Sequence, residues 1–234
     1  MSRQPPSKPH RKKNALRKPG RPPAHGSKRV GSDTIVQEVC ELLRDLAPRD
    51  VTLLRVAEHA GVDRSLIRYY FKNRSTLLLA AARHLFSELQ CELDSVRESA
   101  PTDPEALIRA NAVALLRFQL EHPYFHRLMI DEIFVSDDPE AKAFFESLTS
   151  VAVAGFRATT HAAAREGEMR AVDGAFLYIA MIGMCEFFVM GAPILKVAFG
   201  KEYDAKAVAS EYEKFIRDYV VDGLRQRRTR SRSG

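Results

Sequence analysis

Between residues 52 and 77 the chain reads TLLRVAEHAGVDRSLIRYYFKNRSTL, and no other stretch restricts the possible folds so tightly. Leu53, Val56, Ala57 and Ala60 recur at helical spacing, and Thr52 stands ahead of them with a hydroxyl able to accept from an orphan backbone N–H. Gly61 comes next, where a sharp turn calls for a left-handed backbone and a residue without Cβ costs least. Asp63 is placed to cap a second helix over 64–71, with Ile67 and Phe71 four apart on its inner side and Val62 just ahead of the cap. Asn73 is placed to cap a third helix that opens on Arg74. The pattern predicts two short helices joined by a tight turn and followed at once by another, a helix-turn-helix.

The outward face of the second helix would carry Arg64, Ser65, Arg68, Tyr69 and Lys72. Cations, a hydroxyl and an aromatic on one short helix suit the phosphates and base edges of a major groove about 12 Å wide.

This segment resembles the DNA-binding region of the TetR/AcrR family of bacterial transcriptional regulators, whose pattern is roughly T-x-x-x-[IV]-A-x-x-A-G-V-S-x-G-x-[LI]-Y-x-[HY]-F-x-x-K-x-x-L. Thr52, Val56, Ala57, Ala60, Gly61, Val62, Ile67, Tyr70, Phe71 and Leu77 fall on it without a gap. Asp63 replaces the usual Ser and keeps a capping oxygen, and Arg74 replaces the usual Lys and keeps a cation. Ser65 stands where Gly is usual, and Arg68 where Tyr is frequent. Arginine can bind guanine O6 and N7 through two N–H groups, so Arg68 implies a base preference of its own.

Carried over position by position, the resemblance implies Thr52, Tyr69 and Arg74 on phosphates and Arg64, Ser65, Leu66 and Arg68 at base edges. Leu66 would meet a thymine methyl, and Tyr70 and Lys72 complete the DNA-facing set. The family plan is all-α with about nine helices. A three-helix DNA-binding domain over 32–76 is followed by a ligand-binding and dimerisation body over 77–225. The two-fold dimer of that plan places its reading helices one DNA turn apart, about 34–36 Å, and so implies double-stranded DNA with an inverted repeat as partner. The resemblance further implies a repressor released by a small-molecule effector. An activator is the alternative, as is an architectural, nucleoid-type DNA binder driven by basic tails with no effector.

The rest of the sequence agrees with an all-α reading. Alternating runs of Val, Ile and Thr are rare, and Ala, Leu, Glu and Arg at spacings of three and four dominate after residue 33. A helix over 33–46 carries Ile35, Val39, Leu42, Leu43 and Leu46 on one face, with Ser32 or Asp33 as cap and Pro48 beyond its end. Residues 73–97 form a longer helix that leaves the DNA-binding unit for the body. Five further segments, at 104–121, 123–135, 139–166, 172–191 and 203–225, are opened or separated by Pro, Gly or Asp. The last shows Val208, Tyr212, Phe215 and Tyr219 on one stripe, a face that wants a partner helix.

Charge is strongly segregated. Of 36 Lys and Arg, ten lie in residues 1–31 and five in the last ten, leaving 21 cations in the body against all 30 acids. The basic tails, 1–31 and 226–234, are expected to be disordered, because they hold too few apolar residues to offset the entropy of ordering. Gly20-Arg21-Pro22 within the first resembles the core of an AT-hook, which would lay Arg21 in a narrow minor groove; a solvated arm making nonspecific phosphate contacts is the other reading.

No Gly-rich phosphate loop, metal-spaced His/Cys cluster or nucleophile elbow occurs, so an enzyme is not expected and no cofactor or metal is implied. Cys40, Cys91 and Cys185 read as small buried hydrophobes in a reducing cytoplasm. The most apolar part, 175–199, is interrupted by Glu186, Pro193 and Lys196 and reads as a helix buried in protein rather than a membrane span of about 20 residues. Polar residues within the apolar body helices, Tyr124, His126, Glu132, His161, Tyr178 and Glu186, are the candidate effector contacts. Each has a plainer alternative: Glu132 could pair with Arg127 or His126, and Glu186 could hydrogen-bond across a dimer interface.

Overall fold

The computed structural model describes residues 30–99, 103–167 and 169–225. Both basic tails, and with them Arg21, lie outside the described residues. Within them α-helix is the only regular structure of any length, joined by a single bridge between Met169 and Arg225.

The helices are α1 Ser32–Asp45, α2 Leu53–His59, α3 Arg64–Tyr70, α4 Arg74–Ser99 and α5 Pro104–Glu121. There follow α6 Phe125–Leu128, which runs into a π-helical turn at Met129–Phe134, then α7 Pro139–Arg165, α8 Gly174–Met190, α9 Ala192–Phe199 and α10 Ala205–Leu224. Short polar residues start most of them. Asp103, Asp138, Asp173 and Asp204 each accept a backbone N–H of the first turn, at 2.7–2.9 Å. Proline at the first helical position of α5 and α7 sacrifices only an N–H that has no partner there.

Two boundaries differ from expectation. α1 begins one residue early, at Ser32, with Gly31 at the N-cap and no side-chain cap, because the Ser32 hydroxyl turns to the Asp33 carboxylate instead. The apolar run after residue 175 is not one helix but two, α8 and α9, bent by 69° at Gly191. Pro193 sits in the first turn of α9, where it opens a helix rather than ending one. The described residues therefore hold ten α-helices. α9 is not buried either: Val197 is 84% exposed, and no residue of the helix is buried. Among the described residues no single helix is long and apolar enough to cross a membrane, although α8 and α9 pass that test of length and composition as a bent pair.

α1, α2 and α3 close over a small core to which Ile35, Val39, Val56 and Ile67 contribute fully buried side chains, with Leu77 and Leu78 from the first turn of α4. α4 thus belongs to the head at one end and to the body at the other. In the body α5 packs against α4, α7, α8 and α10, and α7 lies along α8. The α7–α8 approach is close enough that a Cβ on Gly174 would fall 2.3 Å from the backbone of Arg157, so only glycine fits there.

α8 is two-sided. Leu177, Met181, Cys185 and Phe188 are buried on one side, while Phe176, Ile179 and Phe187 are exposed on the other. α10 repeats this, with Ile216, Val220 and Val221 buried and Phe215 and Tyr219 exposed. Of the cysteines, Cys40 and Cys185 are buried as expected, but Cys91 is exposed on α4.

Candidate nucleic-acid interface and helical cavity

The reading head is built by local chemistry. The Thr52 hydroxyl accepts the Arg55 N–H at 3.2 Å and starts α2, and the Asp63 carboxylate accepts the Ser65 N–H at 2.8 Å and starts α3. Between them Gly61 has φ +63°, the left-handed turn expected of it. Asn73 and Thr76 cap α4 reciprocally, the Asn73 side chain accepting from the Thr76 N–H and the Thr76 hydroxyl from the Asn73 N–H.

This geometry turns Arg64, Ser65, Arg68, Tyr69, Tyr70 and Lys72 to solvent together with Thr52. Tyr69 is 80% exposed and meets Tyr70 edge to face at 5.1 Å. Arg64, Arg68 and Lys72 have no ion-pair partner among the described residues, whereas Arg44, Arg83, Arg109, Arg117 and Arg157 all reach carboxylates within 3.1 Å. Leu66 is half-buried, so less of it faces outward than its neighbours in α3. Arg55 was missed in the sequence; it is exposed, without an ion-pair partner among the described residues, and three residues after Thr52 on the same side of α2. That spacing from the capping threonine was the available signal.

Arg74 departs from its expected place on a phosphate. Its Nε donates to the Val51 carbonyl at 2.8 Å, another nitrogen donates to the Pro48 carbonyl, and two nitrogens meet both oxygens of Glu132 at 2.7 Å. A planar fork that finds a carboxylate and two free carbonyls inside the protein has few donors left for solvent. Glu132, expected as an effector contact or as a partner of Arg127 or His126, is instead the counter-charge of Arg74; Arg127 pairs with Asp131.

A cavity of about 180 Å³ lies between α4, α5, α6, α7 and α8, next to the π-helical turn that carries Glu132. Of the proposed effector contacts, His126 and Tyr178 line it. Glu186 sits 3.2 Å from His126. Tyr124, His161 and Glu132 lie off the cavity wall. Burial pushes the Tyr178 hydroxyl above the ordinary phenol value. Sequence reading overlooked Gln90, Asn111 and Gln119, which line the same space; Asn111, Leu115 and Gln119 at spacing four on α5 were the sign. A second concavity, an open apolar groove of about 330 Å³, runs between α8, α9 and α10 over Phe187, Ile194, Phe199, Tyr212 and Phe215.

Comparison with known proteins bears on both regions. A family model described as the Tetracyclin repressor-like, C-terminal domain matches residues 102–229. The HTH-type transcriptional regulator BetI of Brucella canis is 38% identical over 64 residues, which is 27% of this chain and 32% of BetI. The chain thus aligns with about a third of the length of that curated relative. A TetR/AcrR-family transcriptional regulator from Thermobifida fusca superposes with a TM-score of 0.62 at 18% identity, covering 83% of this chain and 98% of that one. AibR, solved in complex with isovaleryl coenzyme A and operator DNA, superposes with a TM-score of 0.63 at 15% identity, covering 82% and 97%. At these identities the superpositions speak for the fold alone.

Proposed function

Since the chain belongs to the TetR family of transcriptional regulators, we propose that it is a repressor that binds an inverted-repeat operator as a homodimer and leaves it when a small molecule fills the body cavity. The observation that carries this reading is the set of exposed cations in and just after α3, Arg64, Arg68 and Lys72, without an ion-pair partner among the described residues and held by a capped helix behind a left-handed glycine turn. In a body where acids outnumber bases, exposed cations that meet no carboxylate among the described residues are suited to phosphate. Arg64, Ser65 and Arg68 read base edges, with Leu66 a partial contact, while Thr52, Tyr69, Tyr70, Lys72 and Arg55 hold the backbone.

Dimerisation rests on the exposed faces of α8 and α10. Phe176, Ile179, Phe187, Phe215 and Tyr219 are each more than half exposed in the single chain. Apolar patches of this extent are characteristic of interfaces, and two-fold packing of α8 and α10 against their copies would cover them. Release follows from linkage: an effector that prefers the DNA-incompetent arrangement by about 1–3 kcal/mol shifts the operator equilibrium by that amount. AibR, which shares the fold, was solved with both a small molecule and operator DNA, and the same division between body and head is proposed for this chain. Domain limits of 32–76 for the head and 77–225 for the body belong to this reading.

Selection of bound DNA from a random pool by the full chain tests it. The expected outcome is an imperfect inverted repeat with half-site centres one helical turn apart; enrichment of single half-sites or of no motif would refute the dimeric operator reading.

A further inference from the structure

The polar groups of the body cavity fall into two sets. Its charged side chains meet partners within the protein: Arg97 donates to Asp94 at 2.6 Å near one end, and His126 stands 3.2 Å from Glu186, an ion pair only when the imidazole is protonated, near the other. Of its uncharged groups Thr159 donates to the Gly155 carbonyl, but others are not so engaged. Gln119 is only 6% exposed, lines the cavity, and has no hydrogen-bond partner for its amide among the described residues. No polar side-chain atom among those residues is both sealed from the surface and unbonded, so the Gln119 amide faces the cavity. Asn111, two turns earlier on the same face of α5, and the Tyr178 hydroxyl also line the cavity with no such partner among the described residues. A carboxamide on a cavity wall that no protein group engages keeps its donors and acceptor free for a partner from outside the chain.

Leu89, Leu93, Leu115, Val151 and Phe156 supply the wall between these groups. A carboxylate or ammonium entering there would lose its water, and to reach a counter-charge it would have to displace a partner of Arg97 or of Glu186. A carboxamide both donates and accepts, and so reads a carbonyl, a hydroxyl or another amide equally. Eight residues along α5, at 1.5 Å each, set Asn111 and Gln119 about 12 Å apart.

We propose that the cavity takes an uncharged, elongated, apolar molecule whose hydrogen-bonding groups lie far enough apart to meet Asn111 and Gln119 together. This rests on the reading of the cavity as the effector site and names the chemical class of the effector.

A matched set of ten-carbon probes tests it: 1,10-decanediol, decanedioate and 1,10-diaminodecane in its diammonium form. Each is titrated calorimetrically into the full chain and, separately, into its complex with selected operator DNA. The diol is expected to bind at least about tenfold more tightly than either ion, since only the ions carry unmatched charge into an apolar site. Gln119→Leu and Asn111→Leu should each weaken the diol about three- to tenfold, the worth of one neutral hydrogen bond, without lowering the melting temperature. Equal or tighter binding of an ion, diol binding indifferent to both substitutions, or no binding by any of the three would overturn the proposal. Diol binding that depends on both amides but leaves the operator complex intact would uphold it and end the effector reading instead.

Discussion

Arg74 and Glu132 form a two-point ion pair, both contacts 2.7 Å, that joins the first residue of α4 to the π-helical turn of the body. The same guanidinium holds the Pro48 and Val51 carbonyls just ahead of α2. One side chain thereby fixes the reading head to a segment bordering the cavity. Glu132→Ala should lower stability by about 1–3 kcal/mol, the range for charge-assisted bonds in a partly exposed site. Arg74→Lys should recover little of it, because a single ammonium cannot reproduce the fork. Urea unfolding of the three proteins, compared at constant m, checks both statements.

Arg68 and Lys72 should behave differently when removed. Arg68→Ala is expected to relax preference at one base pair by about 1–3 kcal/mol, while Lys72→Ala weakens all sequences alike and reduces the salt dependence. Binding selections and salt titrations with each variant separate the two roles; an unchanged preference in Arg68→Ala would remove Arg68 from direct readout.

A charge on the exposed face of α8 should split the dimer. Ile179 is 64% exposed in the single chain, so Ile179→Glu costs the monomer little but would bury a carboxylate in a two-fold interface. Sedimentation velocity is expected to show monomers, with operator affinity lost in proportion.

His122 predicts an acid-sensitive step in stability. It is buried against Phe118, with Glu88 3.7 Å away. Burial holds its proton affinity below the ordinary value of 6.5, outweighing the upward pull of Glu121 and Glu88. A depressed histidine is neutral in the fold and protonates more readily when unfolded. Its contribution is therefore complete above pH 6.5 and is lost as pH falls from there through the native value. Glu105, Asp173 and Asp218, all held low by hydrogen bonds, add their losses only further into acid. Melting temperatures in the window just below neutrality should fall for the native sequence and stay flatter for His122→Gln.

Of the three cysteines, only Cys91 should react readily with a thiol reagent in the native state. Burial pushes the Cys40 and Cys185 thiols up to about 12, while Cys91 is exposed. Labelling at mildly alkaline pH is expected to give one adduct per chain, rising to three in denaturant.

The head was legible because its chemistry is local. Thr52, Gly61, Asp63 and Asn73 act on backbone groups within a few residues, so spacing alone reveals them. Arg74 was not, since its partner Glu132 is 58 residues away and only packing brings them together. α9 was hidden by reading Pro193 as a break in an apolar run, although in a first turn it favours a helix. The cavity needs five helices to enclose it, and its amides sit within an α5 stripe that spacing alone presents as ordinary core.

α5 faces the cavity with Asn111, Leu115 and Gln119, while its Arg109 and Arg117 reach Asp218 and Glu213 of α10. A molecule bound on one side, and a subunit docked against α10 on the other, would press on the same rigid rod. Occupancy and assembly should then trade free energy, so that the concentration of the protein itself sets how much effector is needed to silence it, and cells with few copies would respond at a different dose from cells with many.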